Sequence, residues 1–345
     1  MRPSSFSGLL LPYVSLLGAA ASALAASPEA VVYTHKDWSL QCDNTRTCRA
    51  TGYQEENADA EPVSMLVTRA AGPGTPVEIK LTVYTEGAQP ATLRLAVGRK
   101  IITGLKGDPA SVPAKEVPEV LSQLLNADTA KVQAGKQTWT LSLAGVKAVL
   151  LKMDEAQGRI GTPGALVRRG ERPESSVLPA LPAPAIKAVK PLPARTGDDA
   201  LGQRIYAAFA KSERETISDQ CNGEAPPAAN IEVFRLDDKT LLISVPCSMG
   251  AYNFSSLLWI ANDRPPHKPR SVAANGDFDP ATGNVHSAMK SRGIGDCWST
   301  EDWQWDGSDF VLAGRADSGQ CRGFPGGAWS LPSYATTTRP AAPSK

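Results

Sequence analysis

The chain has 345 residues, enough for two domains of ordinary size and too many for a minimal disulfide-stapled module. Its 36 Lys and Arg residues nearly balance 35 Asp and Glu residues, so the formal net charge is only +1. Because no block of basic residues is available to neutralise a run of phosphates, the composition argues against a nucleic-acid-binding protein. The 28 prolines and 29 glycines favour turns, linkers and small β-rich modules.

Residues 1–25 predict a secretory signal peptide. Arg2 supplies a short positive segment, residues 9–23 are mostly apolar, and Ala23-Leu24-Ala25 has the small-x-small pattern of a cleavage site. The segment is short for a membrane span, and no later stretch approaches 18 consecutive apolar residues. The sequence therefore predicts an exported protein, periplasmic or secreted, with no transmembrane segment in the mature chain.

Residues 28–170 predict an N-terminal α+β domain. Apolar residues recur at helical spacing in two places, over residues 117–125 just after Pro113 and over residues 146–153, and each predicts a helix. Alternating apolar stretches predict an antiparallel sheet beneath these two helices. The predicted strands are Val31–Cys42, Cys48–Tyr53, Val63–Arg69, Val77–Tyr84, Thr92–Ile102, Lys131–Val132 and Gln137–Leu143.

A proline-rich tract at residues 171–197 divides the chain. Its six prolines lie among Ala, Lys and Ser residues, a composition that cannot bury a core and that favours extended polyproline II. We interpret the tract as a spacer rather than a docking site for a partner domain. Residues 336–345 predict a disordered tail.

Residues 198–335 predict a C-terminal, disulfide-bonded, β-rich domain that opens with a helix. The helical stripe covers residues 201–209, and turn clusters separate the stretches that follow it. The predicted strands are Ile231–Leu236, Thr240–Val245, Phe254–Ala261, Val285–Lys290 and Phe310–Gly314.

The six cysteines are interpreted as disulfides, because export places the chain in an oxidising compartment and no CxxC spacing occurs. No metal site or cofactor is predicted. Six cysteines allow 15 connectivities. Alternation along two short strands brings the first two cysteines opposite each other across a turn, so sequential pairing is favoured. The predicted pairs are Cys42–Cys48, Cys221–Cys247 and Cys297–Cys321.

Three stretches of the sequence carry a family resemblance. They are residues 35–53, residues 141–159, and Gly293-Ile294-Gly295-Asp296-Cys297 with Cys321-Arg322-Gly323. These stretches resemble a family of bacterial secreted proteins known as domain of unknown function 1176, over essentially the whole mature chain. The first half also resembles the invasion-associated locus B family, through residues 37–42 and 141–145 and the helix that follows. Neither resemblance implies a catalytic residue.

Acidic residues and a histidine in the C-terminal half are the candidates for catalysis. Asp277 and Asp279 alternate as in a calcium loop, but the positions that an EF-hand reserves for Gly and Glu hold Pro280 and His286. HExxH and GxSxG motifs are absent from the sequence. Asp277, Asp279 or Asp296 with His286 would form an acid/base cluster only if the fold collects them.

Four of the seven tryptophans lie between residues 298 and 329. Trp298, Trp303, Trp305 and Trp329, with Asp296 nearby, form either a packed core or a platform for a ligand, since an indole suits burial and stacking equally. Packing is the favoured interpretation, because small disulfide-bonded modules need tryptophan for their cores.

The absence of catalytic motifs predicts a non-catalytic protein of the bacterial envelope. Its expected ligand is another protein or a cell-wall component, bound through the C-terminal domain. Two alternatives remain open, a hydrolase-like enzyme that uses the aspartate-rich C-terminal half and a secreted inhibitor of an enzyme such as lysozyme.

Overall fold

The computed structural model describes residues 30–56, 61–220, 225–249 and 253–340. The predicted signal peptide lies outside these ranges. The described chain is mostly β, with 41% of residues in strands and 16% in helices, so the predicted α+β class holds only loosely. No helix among the described residues is long and apolar enough to cross a membrane.

The N-terminal unit contains two antiparallel sheets and two helices. One sheet has the strand order β1-β2-β3-β4-β5-β8 and the other has the order β10-β9-β6-β7. The helices are α1 (Val117–Leu124) and α2 (Val146–Ala156). The strands are β1 (Val31–His35), β2 (Trp38–Cys42), β3 (Cys48–Tyr53), β4 (Val63–Arg69), β5 (Val77–Val83), β6 (Leu93–Val97), β7 (Lys100–Leu105), β8 (Ala110–Ser111), β9 (Thr129–Ala134) and β10 (Gln137–Ser142).

Two of the predicted N-terminal strands are hairpins. The predicted strand at residues 31–42 turns at Lys36, which has a φ of 54°, and forms β1 and β2. The predicted strand at residues 92–102 turns at Gly98, with a φ of 52°, and forms β6 and β7. Both turns need the left-handed backbone region, which a pattern of apolar residues does not reveal. Helix α2 packs on β1, β2 and β3, as the prediction of helices on a sheet requires.

The C-terminal unit consists of helices followed by two further sheets. The sheets have the strand orders β12-β13-β14-β15 and β16-β17-β18-β19-β20. The helices are α3 (Asp198–Phe209) and α4 (Arg214–Gln220). The strands are β12 (Glu232–Arg235), β13 (Thr240–Met249), β14 (Asn253–Asn262), β15 (Arg270–Asn275), β16 (Asp277–Asp279), β17 (Asn284–Lys290), β18 (Trp298–Trp305), β19 (Phe310–Asp317) and β20 (Leu331–Ala335).

Apolar side chains of the C-terminal unit pack into two clusters among the described residues. In one cluster α3 lies against β12 and β13, and Phe209 contacts the buried Trp259 with ring centroids 5.5 Å apart. In the other cluster Trp305 and Phe310 pack with side chains of both sheets. Strand β18 was not predicted, because its residues alternate poorly between apolar and polar and most of them are half-buried.

The predicted spacer makes specific contacts with the N-terminal unit. The Leu178 N–H donates to the carbonyl oxygen of Gln157 at 3.2 Å, and its carbonyl accepts from the Gly72 N–H at 3.0 Å. The Leu181 N–H donates to the carbonyl oxygen of Thr45. The first part of the tract therefore lies along this unit, a contact that its composition did not indicate, and its role as the linker between domains stays a prediction.

The later part of the tract pairs with the end of the chain. Strand β11 (Ala185–Ala188) runs parallel to β21 (Thr337–Pro340), and the Val189 N–H donates to the Trp305 carbonyl at 2.9 Å. Residues 337–340 were predicted to be disordered, and this pairing corrects that prediction because each strand supplies the other's backbone partners. The domain boundaries themselves stay predictions.

The disulfides Cys42–Cys48 and Cys297–Cys321 are both present, as the sequence predicted. Cys42 and Cys48 are register partners on β2 and β3, so the bond spans one hairpin. Cys247 is also disulfide-bonded, and its predicted partner Cys221 lies outside the described residues.

Gly52 on β3 is required by the packing of Trp38. The two residues face each other in register, and a Cβ at position 52 would lie 2.2 Å from the indole Cε2. The Trp38 indole is fully buried and its N–H donates to the Ser142 carbonyl, so it has no room to move. We expect Gly52→Ala to lower the free energy of unfolding by about 3 kcal/mol through overpacking.

Urea denaturation measures this loss. Gly87→Ala is the matched control, since nothing lies within 4 Å of a Cβ at that position. Its unfolding midpoint should stay close to that of the wild type. Equal midpoints for the two variants would show that Trp38 does not constrain β3.

Candidate ligand-binding sites

Side chains of β4 and of the turn between β2 and β3 hold the C-terminal segment 318–335 against the N-terminal unit. The Asn44 Nδ2 donates to the Ala335 carbonyl at 3.0 Å, and the Ala335 N–H donates to Asn44 Oδ1 at 2.8 Å. The indole N–H of Trp329 donates to Ser64 Oγ at 2.7 Å. These bonds join residues that are far apart in sequence, so the two units form a defined boundary.

Arg322 is the charged centre of this boundary. Its guanidinium is 8% exposed and lies 3.1 Å from the Asp37 carboxylate. It also donates to the Gln54 carbonyl and to Gln320 Oε1, both at 3.1 Å. The Gln54 Nε2 donates in return to the Arg322 carbonyl at 2.7 Å. A buried guanidinium with this many acceptors positions one wall of the boundary.

Asp296 holds a neighbouring part of this wall in place. Its buried carboxylate accepts from Arg292 Nε at 2.7 Å and from the Gly323 N–H at 2.7 Å. The bond to Arg292 holds the pKa of Asp296 below its usual range, although burial acts in the opposite direction. The disulfide Cys297–Cys321 links the two loops that this network spans. Asp296 is therefore a structural residue and not part of a ligand platform.

Asp296 also belongs to a cluster of three described residues whose potential ligand atoms are close enough to hold a metal ion. Ligand atoms of Asp296, Cys297 and Cys321 lie within 4.8 Å of one another. The two sulfurs are bonded to each other, however, and a disulfide offers no thiolate to a metal. The group does not fit a metal centre.

A cleft of about 700 Å³ opens between the two units. We call it the inter-unit cleft. Its volume is in the range of sites that bind small molecules or peptide segments, and such sites favour boundaries between domains. The charged residues that line it are Glu55, Glu56, Glu61, Glu86, Arg292 and Arg322.

The positive charges of the cleft are already neutralised. Arg292 is paired with Asp296 and Arg322 with Asp37, so each guanidinium has a carboxylate of its own. Such pairs leave little net field for a ligand.

Most negative charges of the cleft have no comparable partner among the described residues. Glu55, Glu61 and Glu86 are exposed and form no hydrogen bond or ion pair with the part of the chain that the structure describes. Glu56 approaches Arg322 only to 3.7 Å. The cleft is therefore acidic on a chain whose net charge is close to zero.

An apolar side chain stands at the edge of the acidic cleft. Ile294 is 72% exposed and lines the cleft. The loop that carries it is braced, because the next residue, Gly295, accepts from the Trp298 indole at 2.8 Å and from the Gly326 N–H at 2.8 Å. Ile294 therefore gives the acidic cleft a fixed apolar side chain at its edge.

The structure separates the four tryptophans of the predicted platform. Trp305 is 1% exposed, and Trp303 is half-buried against the same core. The favoured interpretation as packing is therefore right for these two. Trp298 and Trp329 instead line a groove of about 330 Å³. We call it the tryptophan groove.

The residues proposed for a hydrolase do not form one group. Asp279 Oδ2 accepts from Thr282, which holds the pKa of Asp279 below its usual range and ties it to a turn. His286 contacts Asp302 at 2.9 Å on an exposed strand face, with Asp277 as its register partner on β16. Asp296 belongs to the Arg292 network described above. Asp279 and Asp296 are therefore held away from His286 in networks of their own, and of the three proposed acids Asp277 is the one that the register places opposite it.

The fold and its clefts define a disulfide-bonded, mostly β protein of two joined units. The chain belongs to the family described as "Protein of unknown function (DUF1176)", whose model matches residues 32–336. It is similar to the "Uncharacterized protein YpfG" of Escherichia coli (strain K12), with 26% identity over 324 residues that cover 84% of this chain and 88% of that protein. No solved structure matches the chain.

The comparisons confirm the predicted membership of this family. They do not show the predicted likeness of the first half to the invasion-associated locus B family. Neither the family description nor the relative assigns a biochemical role.

Sequence reasoning missed the inter-unit cleft. A local signal was present, because four acids, namely Glu55, Glu56, Asp59 and Glu61, occur within a stretch of seven residues. Glu86 and Arg322 carry no such signal, since only the fold brings them to the same place.

Proposed function

We propose that the protein is an exported, non-catalytic protein of the bacterial envelope that binds a basic segment of another protein in the inter-unit cleft. Residues 1–25 support export, and the described cysteines, none of which is free, suit an oxidising compartment. The observation that carries the proposal is that Glu55, Glu61 and Glu86 line the cleft without a cationic partner among the described residues.

Charge selects the ligand. Carboxylates in a concave site with low-dielectric walls raise the local concentration of cations and repel anions. The paired arginines do not oppose this field, because Asp296 and Asp37 already compensate them. Lys and Arg side chains are therefore the complementary groups.

Ile294 favours a protein over a small cation. A polyamine or a metal ion would gain nothing from contact with an exposed isoleucine at the edge of its site. A protein segment would bury that side chain at the contact. An inhibitor of a secreted basic enzyme is one form of this function, in which the bound partner is the enzyme.

The probe for this proposal is fluorescein-labelled pentalysine, titrated with the full chain exported and purified from the periplasm. We expect a rise in fluorescence polarisation at low salt. The rise should disappear as the Debye length falls from about 30 Å at 0.01 M to about 3 Å at 1 M ionic strength.

The variant Glu55→Gln/Glu61→Gln/Glu86→Gln is expected to bind the probe about tenfold more weakly, since each exposed charge pair contributes about 0.5 kcal/mol. The matched control replaces three exposed glutamates outside the cleft, Glu78, Glu171 and Glu232, by Gln. It removes the same total charge. Equal weakening by the two triple variants would mean that the cleft is not the site.

A further inference from the structure

The tryptophan groove is a second concave site, separate from the acidic cleft. It lies beside β18 and β19, and its lining shares no residue with that of the inter-unit cleft. Two indoles and a set of oxygen-bearing side chains define it. The lining residues used below are Trp298, Trp329, Thr300, Asp317, Ser318 and Ser330.

Both indoles have their N–H groups occupied by the protein. The Trp298 N–H donates to the Gly295 carbonyl at 2.8 Å, and the Trp329 N–H donates to Ser64 Oγ at 2.7 Å. These bonds fix the orientation of each ring. The ring carbons are the part of each indole that can meet a flat apolar surface of a ligand. The Lys290 ammonium lies over the Trp298 ring, 5.3 Å from its centroid.

Oxygen atoms supply the polar part of the groove. Asp317 contributes a carboxylate that accepts from Gln41 Nε2 at 3.3 Å, and Thr300, Ser318 and Ser330 contribute hydroxyl groups. None of the described residues that line the groove is Lys, Arg or His. In the lining a phosphate or carboxylate ligand would meet the Asp317 carboxylate, while the Lys290 ammonium lies outside the lining and interacts with the Trp298 indole.

We propose that the tryptophan groove binds a pyranose ring of a neutral oligosaccharide. The C–H face of a pyranose is flat and apolar and stacks on an indole, while its hydroxyl groups donate to a carboxylate and exchange hydrogen bonds with Ser and Thr. A volume of about 330 Å³ is at the lower end of small-ligand sites and suits one or two rings.

The groove depends on contact between the two units. Trp329 belongs to the C-terminal unit, but its orientation is set by Ser64 on β4 of the N-terminal unit. Gln41 on β2 likewise contacts Asp317 on β19. The sugar site is therefore a property of the whole chain, and the full chain is the material to test.

The test is a titration of the ¹⁵N-labelled full chain with N-acetylglucosamine trimer and, separately, with maltotriose. We expect the indole N–H resonances of Trp298 and Trp329 to shift saturably, and that of the buried Trp139 to stay in place. Saturable shifts with either sugar support ring stacking. The preferred trimer then distinguishes a cell-wall glycan from an α-glucan as the source.

Variants assign the effect to the groove. Trp298→Ala and Asp317→Asn are each expected to weaken the binding of the sugar about tenfold, since loss of a stacked ring or of a charged acceptor costs about 1.4 kcal/mol. The matched control is Trp303→Ala, on the same strand but outside the groove. Ser64→Ala keeps both rings and removes the bond that orients Trp329, so a smaller loss is expected.

Two results would overturn the proposal. One is the absence of any shift at Trp298 and Trp329 with both sugars at millimolar concentration. The other is equal binding by Trp298→Ala and the wild type. The wild-type titration decides the question even if a variant does not fold. Pentalysine is expected not to displace the sugar, so failure of one site leaves the other unaffected.

Discussion

Arg322→Ala is expected to lower the free energy of unfolding by about 3–5 kcal/mol, the usual cost of removing one partner from a buried ion pair. The substitution leaves the carboxylate of Asp37 and the carbonyl of Gln54 at the boundary without their cationic partner. It also removes the residue that links the two units at the wall of the cleft. Unfolding in urea, followed by circular dichroism and by tryptophan fluorescence, measures the loss.

The same variant is expected to separate the unfolding of the two units. With the boundary weakened, the two optical probes should report different midpoints, whereas the wild type should unfold in one coincident transition. Arg315→Ala is the matched control. Arg315 is also paired with a carboxylate, that of Glu301, but its side chain is 48% exposed. The control should cost less than about 1 kcal/mol. Equal costs for both arginines would contradict the assignment of Arg322.

Asp198→Ala is expected to cost about 3–4 kcal/mol through a second buried arginine. Asp198 accepts from Arg235 Nη2 at 2.6 Å and from Nε at 2.9 Å, in a bidentate pair that is almost fully buried. After the loss of Asp198, the remaining carboxylate partner of Arg235 among the described residues is Asp263, whose Oδ2 lies 3.1 Å from Arg235 Nη1. The charge of the buried guanidinium is then only partly compensated. Thermal unfolding measured by calorimetry gives the change.

Asp199→Ala is the control for the helix terminus. Asp199 shares the first turn of α3 with Asp198 and contributes equally to the favourable interaction with the helix dipole, but it is exposed. A loss of no more than about 1 kcal/mol is expected for it. A similar loss for both variants would mean that the dipole, and not Arg235, explains the effect of Asp198.

The Asp198–Arg235 pair also predicts a pH dependence. The hydrogen bond to Arg235 holds the pKa of Asp198 below its ordinary value, with burial acting in the opposite direction. The folded state therefore binds fewer protons at this site than the unfolded state, whose pKa is about 3.9. The stability from the pair is present above that pH and is lost as the pH falls through the lower folded-state pKa. Asp198→Ala should remove this part of the acid sensitivity.

Local patterns predicted much of the secondary structure. The strand at residues 63–69 and the helices over residues 117–124 and 146–156 follow apolar periods that depend on neighbouring residues alone. Two-residue turns that begin at Lys36 and Gly98 escaped prediction, because a left-handed backbone leaves no trace in an apolar pattern. Strand β18 was not predicted because its apolar and polar residues do not alternate regularly, and most of them are half-buried.

The candidate sites were predictable only in part. Trp298 and Trp329 were identified from composition, but their separation from Trp303 and Trp305 required knowledge of which face of the sheet meets the core. The cleft was not predictable as a site. Its Gln54–Arg322 hydrogen bonds join residues 268 positions apart, and no periodicity operates over that distance.

The sequence by itself determined the family, the near-neutral charge and the hairpin disulfide Cys42–Cys48. These features depend on residue identity and on short-range alternation along the chain. The tertiary structure alone decided that the proline-rich tract lies on both units and that Glu55, Glu61 and Glu86 line one cleft without a cationic partner among the described residues. The physical reason is that compensation of charge and burial of backbone groups are properties of the folded surroundings, which distant parts of the chain supply.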